Sequence, residues 1–291
     1  MFYNKIEQLN NIIVFDIETT PDISLASELC EGMSKNSTEK YTKDEIEKLS
    51  KIEKRELMER YHIEKHNGNS FLRQPFHKIV CISVLVAGIE RNEDKEEYVF
   101  KALKSYNSFE NTEEEIVKKF WNLLKERRPR IISFNGYRFD MNVLKCKALK
   151  YGIDCGWYFN YGGKWDGWES RCSNIANYDI ELENFGDYTL HEICIMLGIP
   201  CKLGIDGTKV SSFVDEGKYK EICEYCETDV LATYLVYLRM ALTKGYILKE
   251  EYNKNIAKME EYLISKQDEN KGLKEFLEAW YRLNNNILKL I

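Results

Sequence analysis

The sequence predicts an α/β fold in which a mixed sheet is flanked by helices. Three short apolar runs, at residues 12–15, 78–87 and 130–134, are typical of buried strands. Elsewhere apolar residues recur every three or four positions, as they do in helices that bury one face. The order along the chain is three strands, a helix, a strand and a helix. This order predicts one sheet with helices packed against it.

The first strand turns acidic at its end. Its apolar run, Ile12 to Phe15, is followed by Asp16 and then by Glu18. Side chains two residues apart in a strand point to the same side, so the two carboxylates lie close together. A hard divalent cation would relieve their repulsion, because Mg²⁺ prefers carboxylate oxygens. The alternative is an edge strand with two ordinary solvated acids, because short motifs carry a high false-positive risk.

A helical insert follows the first strand at about residues 23–70. Thr42 and Glu45 predict a capped helix start, and the residues after them form one long or two short amphipathic helices. His62 and His66 are four residues apart, a spacing that can bind a metal. A solvated helix face is the favoured interpretation, because no third ligand accompanies them. The insert either covers the sheet edge or guards a site, and the sequence does not decide which.

The elements that complete the sheet come next. Residues 78–87 and 97–102 predict antiparallel neighbours joined by a polar turn. Thr112 begins a helix with one apolar face, and this helix ends before Pro129. The strand at residues 130–134 leads into a further helix.

Polar residues with a potential chemical role lie after that strand and in a later helix. Asn135 begins a turn that delivers Asp140 to the head of a helix. Tyr225 and Asp229 are four residues apart in a helix predicted over residues 218–243, so they share one face. Together with the acids of the first strand, they make four carboxylates and one phenol.

The segment at residues 155–185 is irregular and rich in glycine and aromatic residues. Its rings are Trp157, Tyr158, Tyr161, Trp165 and Trp168. They either stack on nucleic-acid bases or pack the segment onto the core. Asp179 ends a short strand there. Thr189 begins a helix that Gly198 ends, and residues 204–207 predict a further turn.

Two features lie at the C-terminal end. Cys223 and Cys226 form a Cys-x-x-Cys pattern, which permits a zinc or redox interpretation. Packing is favoured, because no second cysteine pair and no thioredoxin-like strand accompany it. Two charged helices, at residues 249–266 and 271–289, then form an extension that caps the core or meets a protein partner.

The composition is that of a globular chain, with 44% hydrophobic and 31% charged residues among 291. The length fits one large domain or two ordinary ones. No apolar run is long enough to span a membrane, and residues 1–10 lack the apolar centre of a signal peptide. With nine cysteines, an odd number, these features predict a cytoplasmic protein with reduced thiols. The net charge of −6 argues against tight non-specific DNA binding but allows a local basic groove.

Three segments together resemble the motifs of the DEDD 3′-5′ exonucleases, which have a ribonuclease H-like fold. The segments are Asp16-Ile-Glu18-Thr19, Asn135-Gly-Tyr-Arg-Phe-Asp140 and Tyr225-Cys-Glu-Thr-Asp229. A tyrosine four residues before the last aspartate is typical of the tyrosine variant, DEDDy. Residues 78–83 and 197–200 extend the likeness to the predicted exonucleases related to the proofreading domain of family B DNA polymerases. The likeness covers roughly residues 10–245, apart from the insert.

The resemblance implies a domain division and a role for each site residue. Residues 10–245 would form the ribonuclease H-like exonuclease domain, and residues 246–291 the helical C-terminal extension. Two divalent cations, Mg²⁺ or Mn²⁺, about 4 Å apart would clamp the attacking water and the leaving oxygen. The metal ligands would be Asp16, Glu18, Asp140 and Asp229. Tyr225 would position the water, and Thr19 and Asn135 would contact the terminal nucleotide. Asp179, at a position where the family also has an acid, would support the site without binding a metal.

The implied function is metal-dependent hydrolysis of phosphodiester bonds from the 3′ end of single-stranded DNA. Two alternatives stay open at this stage. One is a 3′-5′ exoribonuclease acting on RNA or short oligoribonucleotides, because the motifs fix the chemistry and not the sugar. The other is a non-catalytic nucleic-acid-binding module that retains the fold, although five intact catalytic-type side chains weigh against it. The expected partners are a nucleic-acid 3′ end and a protein at the C-terminal helices, with no membrane.

Overall fold

The structure, a computed structural model, describes residues 9–92, 95–160, 167–169, 176–180, 187–201 and 207–283. The chain divides into two compact units, one of residues 19–79 and one of residues 1–18 and 80–291. The division into an exonuclease domain and a C-terminal extension stays a prediction. Among the described residues, no helix has the length and apolarity needed to cross a membrane.

A five-stranded mixed sheet forms the centre of the larger unit, as predicted. Its strands are β1 (Asn11–Pro21), β2 (His77–Asn92), β3 (Lys95–Asn107), β4 (Arg130–Ser133) and β5 (Asn177–Asp179). Their order in the sheet is β3-β2-β1-β4-β5. β2 and β3 are antiparallel, whereas β1 and β4 and also β4 and β5 are parallel. β1 therefore lies in the middle of the sheet, which explains its run of apolar residues.

The helices of the larger unit are the second layer. Helices α1 to α3 belong to residues 19–79 and are described below. The helices of the larger unit are α4 (Glu113–Arg127), α5 (Asp140–Tyr151), α6 (Gly156–Phe159), α7 (Leu190–Leu197), α8 (Val210–Asp215), α9 (Tyr219–Thr243), α10 (Lys249–Lys266) and α11 (Lys271–Arg282). Capping boxes at Thr112 and Thr189 begin α4 and α7. Gly152 and Gly198 end α5 and α7 in the left-handed conformation, as the sequence predicts. The part of the second C-terminal helix predicted beyond residue 283 lies outside the described residues.

The long helix α9 is the main packing partner of the sheet. Most of its residues are buried, and its apolar side chains form one core with β1, β2 and β4. α10 and α11 join the same core and contact α9. Gly272 of α11 permits this approach, because a Cβ at that position would lie 2.8 Å from the Cβ of Glu224. The C-terminal helices thus cap the core, which is one of the two predicted roles.

Two of the aromatic rings after α5 are packed into the core. Trp168 and Tyr158 are fully buried, and their rings stack 6.4 Å apart. The Trp168 indole donates a hydrogen bond to the Pro129 carbonyl, and the Tyr158 hydroxyl donates to the Trp168 carbonyl. The packing alternative is therefore confirmed for these two rings. Tyr161, Trp165 and most of the turn at 204–207 lie outside the described residues.

The unit of residues 19–79 carries the helical insert. Its helices are α1 (Ala26–Cys30), α2 (Lys43–Glu47) and α3 (Lys51–Lys65), which enclose a small apolar core. The predicted capping box of Thr42 and Glu45 begins α2, so two short helices is the correct alternative. The solvated-face interpretation of His62 is wrong, because this side chain is only 2% exposed. It is buried because one ring nitrogen bonds the Asn69 carbonyl.

Candidate active site

The acids of β1 form the centre of the site. Glu18 is buried and Asp16 is half-buried. Both lie inside β1 and not at its predicted end, because the strand continues to Pro21 beyond its pairing with β4 at Ile12–Val14. One ligand atom of each lies within 4.8 Å of the other and of the Cys226 thiol on α9. The predicted proximity of the two carboxylates is therefore confirmed.

Asp140 joins the cluster from the first turn of α5. Its carboxylate accepts hydrogen bonds from the backbone amides of Asp140 itself and of Ile17 on β1. Burial raises the pKa of Asp140 to about 7, against the effect of these bonds. The bond from Ile17 ties the carboxylate to the strand between Asp16 and Glu18.

Tyr225 and Asp229 reach the same place from one face of α9. The Tyr225 hydroxyl hydrogen-bonds to the Asp229 carboxylate. Burial raises the pKa of Tyr225 above its ordinary value, and the charges of Asp229, Glu18 and Asp16 raise it further. The helical spacing predicted from the sequence thus brings the phenol to three of the four acids.

The electrostatics of the cluster are unfavourable to four negative charges. Burial raises the pKa of Asp16 well above its usual value, and the neighbouring charges of Asp140 and Asp229 add to the increase. The pKa of Glu18 is raised by burial and then by the other three acids. Within the described part of the chain, no Lys or Arg forms an ion pair with Asp16, Glu18 or Asp140. A bound cation would provide the missing positive charge.

The turn between β4 and α5 is held by Asp179. This fully buried carboxylate accepts hydrogen bonds from the backbone amides of Asn135 and Tyr137, both at 2.9 Å. Asn135 adopts the left-handed conformation with φ of 60°. A Cβ at Gly136 would lie 2.5 Å from the Ser133 side chain, so only glycine fits there. Asp179 supports the site through the backbone, as predicted.

The two predicted substrate-binding residues have different surroundings. The side-chain amide oxygen of Asn135 is buried and has no hydrogen-bond partner among the residues that the structure describes. Thr19 belongs to the unit of residues 19–79, where its hydroxyl lies 2.9 Å from Nδ1 of His77. Contact of either residue with a terminal nucleotide stays a prediction.

Two cysteine thiols lie close to carboxylates of the site. The Cys226 thiol lies 3.5 Å from both the backbone oxygen and the carboxylate of Asp16. Cys201 lies 4.0 Å from the Asp229 carboxylate, and the Cys223 sulfur lies 3.3 Å from that of Cys81. Cys223 and Cys226 are buried, as the packing interpretation requires. Sequence reasoning missed the contacts of Cys226 and Cys201 with the acids, because no local pattern marks them.

The strand order and the surrounding helices are those of a ribonuclease H-like fold, and the acids of β1 suit the chemistry of a metal-dependent nuclease. The chain matches a family described as "Predicted 3'-5' exonuclease related to the exonuclease domain of PolB" over residues 69–280, and it belongs to this family. The matched range includes Asn135, Asp140, Tyr225 and Asp229, whereas the acids of β1 precede it. No curated protein matches the chain. A nuclease family implies a nucleic-acid substrate.

Proposed function

We propose that this chain is a metal-dependent 3′-5′ exonuclease that hydrolyses single-stranded DNA with two divalent cations, Mg²⁺ or Mn²⁺. The observation that carries the proposal is the close pair of carboxylates of Asp16 and Glu18 on β1, whose pKa values the charges of Asp140 on α5 and Asp229 on α9 also raise. Three of them are without an ion pair among the described residues. A fold does not need such a cluster for its stability, because buried like charges repel one another.

The donor set fits hard divalent cations. Asp16, Glu18, Asp140 and Asp229 would hold them, since Mg²⁺ and Mn²⁺ prefer carboxylate oxygens. When bound, such ions activate water and neutralise the charge that develops on the phosphate. The thiol of Cys226 lies beside Asp16 as a softer group, to which Mg²⁺ has little affinity.

Tyr225 acts as a hydrogen-bond donor in this proposal. A phenol has an ordinary pKa near 10, and the surroundings of Tyr225 raise that pKa. The hydroxyl therefore keeps its proton at neutral pH and cannot serve as the base. While that proton is donated to Asp229, the hydroxyl oxygen can accept a hydrogen bond from a water molecule and so orient it.

Asn135 is the candidate for contact with the terminal nucleotide. Asp179 fixes its backbone, while its amide oxygen lacks a partner within the described residues. A buried acceptor without a partner is unfavourable, and a donor group of a nucleotide would satisfy it.

Digestion of matched substrates tests the proposal. Single-stranded DNA and RNA of one sequence, labelled at the 5′ end, are incubated with Mg²⁺ or Mn²⁺, with EDTA as the metal-free control. We expect a ladder that shortens from the 3′ end of the DNA, and no ladder with EDTA or with Asp16→Ala. Asp268→Ala, which removes an exposed acid on a loop, is the matched control and should behave as the wild type.

Three results would contradict the proposal. A ladder on RNA alone would indicate the exoribonuclease. Binding of both strands without a ladder, by a folded protein supplied with metal, would indicate a non-catalytic module. Equal activity of Asp16→Ala and the wild type would remove the proposed metal site.

A further inference from the structure

A polar cavity of about 480 Å³ lies at the C-terminal end of α3, within the unit of residues 19–79. Its lining includes two histidines, a lysine, an arginine and three side-chain amides, and no acid. Two other cavities also lack an acid, but their linings are mostly apolar and each has a single Lys or Arg. The composition of the polar cavity favours a ligand that is anionic and accepts hydrogen bonds.

Lys65 and Arg73 provide its fixed positive charge. Both side chains are exposed, and neither forms an ion pair within the described part of the chain. Desolvation lowers the pKa of the neighbouring His66, and the charges of Arg73 and His62 lower it further. The lining therefore carries two positive side chains that no acid among the described residues neutralises in an ion pair.

His62 adds a buried ring to this lining. Its Nδ1 lies 2.8 Å from the Asn69 carbonyl oxygen and bonds to it. Its Nε2 is buried and has no hydrogen-bond partner among the described residues. No third side chain suited to a metal accompanies His62 and His66, since the one such group found in the described residues is that of Asp16. The cavity thus suits an anion better than a metal ion.

Phe71 gives the cavity an apolar surface next to the cations. Its side chain is 59% exposed, although exposure of a large aromatic ring to water is unfavourable. The centres of the Phe71 and His77 rings lie 5.1 Å apart, so the His77 ring packs against the Phe71 ring. Proteins that bind single-stranded nucleic acids combine an exposed aromatic ring with nearby positive charges. The bases stack on the ring, and the positive side chains bind the phosphates.

We propose that this cavity binds one nucleotide unit of a single-stranded nucleic acid, with Lys65 and Arg73 on the phosphate and Phe71 on the base. The proposal rests on the proposed function only for the identity of the ligand. None of the residues that line the cavity belongs to the carboxylate cluster. Lys65 precedes the range that matches the exonuclease family, whereas Phe71 and Arg73 lie within it.

Binding is measured by fluorescence anisotropy with a labelled thymidine 12-mer and the full chain in EDTA, which prevents hydrolysis. The double variant Lys65→Gln with Arg73→Gln should weaken binding about tenfold. It should also reduce the slope of log affinity against log salt by about 1.4, since two phosphate contacts are lost. Phe71→Ala should weaken binding at least about fivefold through lost stacking.

Lys48→Gln with Lys51→Gln is the matched control. It removes the same total charge from the same unit, and Lys51 lies about 21 Å along α3 from Lys65 at 1.5 Å per residue. Its affinity should equal that of the wild type. Equal weakening in both double variants, or weakening in neither, would overturn the proposal. Displacement of the 12-mer by thymidine 5′-monophosphate at the same concentration would overturn its assignment to a strand.

Hydrolysis assays with Mg²⁺ separate this proposal from the proposed function. If the oligonucleotide binds as expected but is not hydrolysed, the exonuclease assignment fails and the cavity assignment stands. If the oligonucleotide is hydrolysed and the Lys65→Gln, Arg73→Gln variant keeps the wild-type KM and affinity, the cavity assignment fails and the exonuclease assignment stands.

Discussion

Buried charge is neutralised by an ion pair on strand β4, whereas on the neighbouring strand β1 it is not. At the N-terminal end of β4, Arg130 is buried and forms a two-pronged ion pair with Glu96, at 2.7 and 2.9 Å. The same guanidinium donates a hydrogen bond to the hydroxyl of Tyr237. On β1, the charges of further acids act on the carboxylates of Asp16 and Glu18.

The difference shows which buried charges are structural. Burial by itself raises the pKa of Glu96, but the hydrogen bonds and charge of Arg130 lower it below its ordinary value. Burial raises the pKa of Asp16 in the same direction, and its neighbours raise it further instead of opposing the increase. A charge cluster that the fold neutralises stabilises the fold. A cluster that the fold leaves negative is suited to a positively charged ligand.

Removal of an acid from the negative cluster should give the largest effect. Asp229→Ala is expected to lower hydrolysis at least about 1000-fold, because metal ligation contributes several kcal/mol to the transition state. Its stability without metal should not fall, since a repulsion is lost. Timed digestion and thermal melts in EDTA measure the two quantities. Wild-type activity in this variant would contradict the assigned site.

Removal of the cation from the neutralised cluster should affect stability instead. Arg130→Met leaves Glu96 buried without its partner, and we expect a loss of about 3–5 kcal/mol in the free energy of unfolding. Urea unfolding measures it, with the double variant Arg130→Met with Glu96→Gln as the control. The double variant should recover part of the loss. If the single variant is as stable as the wild type, Arg130 does not neutralise a buried charge that the fold depends on, and the contrast with the acids of β1 fails.

Tyr225→Phe tests the role of the hydroxyl within the negative cluster. It removes a hydrogen bond to a charged group, so we expect kcat to fall about tenfold to hundredfold. Metal binding should persist, because the carboxylates remain. Activity assays together with Mn²⁺ binding by calorimetry check both parts. A loss of metal affinity as large as the loss of kcat would show that the phenol serves the metal site itself.

The pH dependence of stability should have opposite signs at the two clusters. The pKa of Asp140 is raised to about 7, so its contribution to stability is present below about pH 4 and lost as the pH rises to about 7. Glu96 has a lowered pKa, so its contribution is present at neutral pH and lost as the pH falls. Thermal melts in EDTA from pH 5 to 8 should show the decline, and Asp140→Asn should reduce it. Saturating Mg²⁺ should also reduce it; an unchanged decline with Mg²⁺ would argue against a metal at these acids.

Local patterns were enough to predict much of the fold. The capping boxes at Thr42, Thr112 and Thr189 each begin a helix, and α10 has the predicted bounds, Lys249–Lys266. β3 is longer than predicted, because its polar second half is stabilised by pairing with β2. Pairing of this kind depends on the partner strand, which the residues of β3 do not specify.

The sequence by itself determined the side chains that meet through short-range geometry. Strand periodicity places Asp16 and Glu18 together, and helical periodicity places Tyr225 and Asp229 together. Only the tertiary structure decided three further contacts. The Cys226 thiol lies beside the Asp16 carboxylate, the Asp179 carboxylate accepts a hydrogen bond from the Asn135 backbone amide, and Glu96 forms an ion pair with Arg130. These partners are 34 to 210 residues apart in the chain. Their contacts exist because the packing of the sheet against its helices brings distant segments together, and no local spacing records that packing.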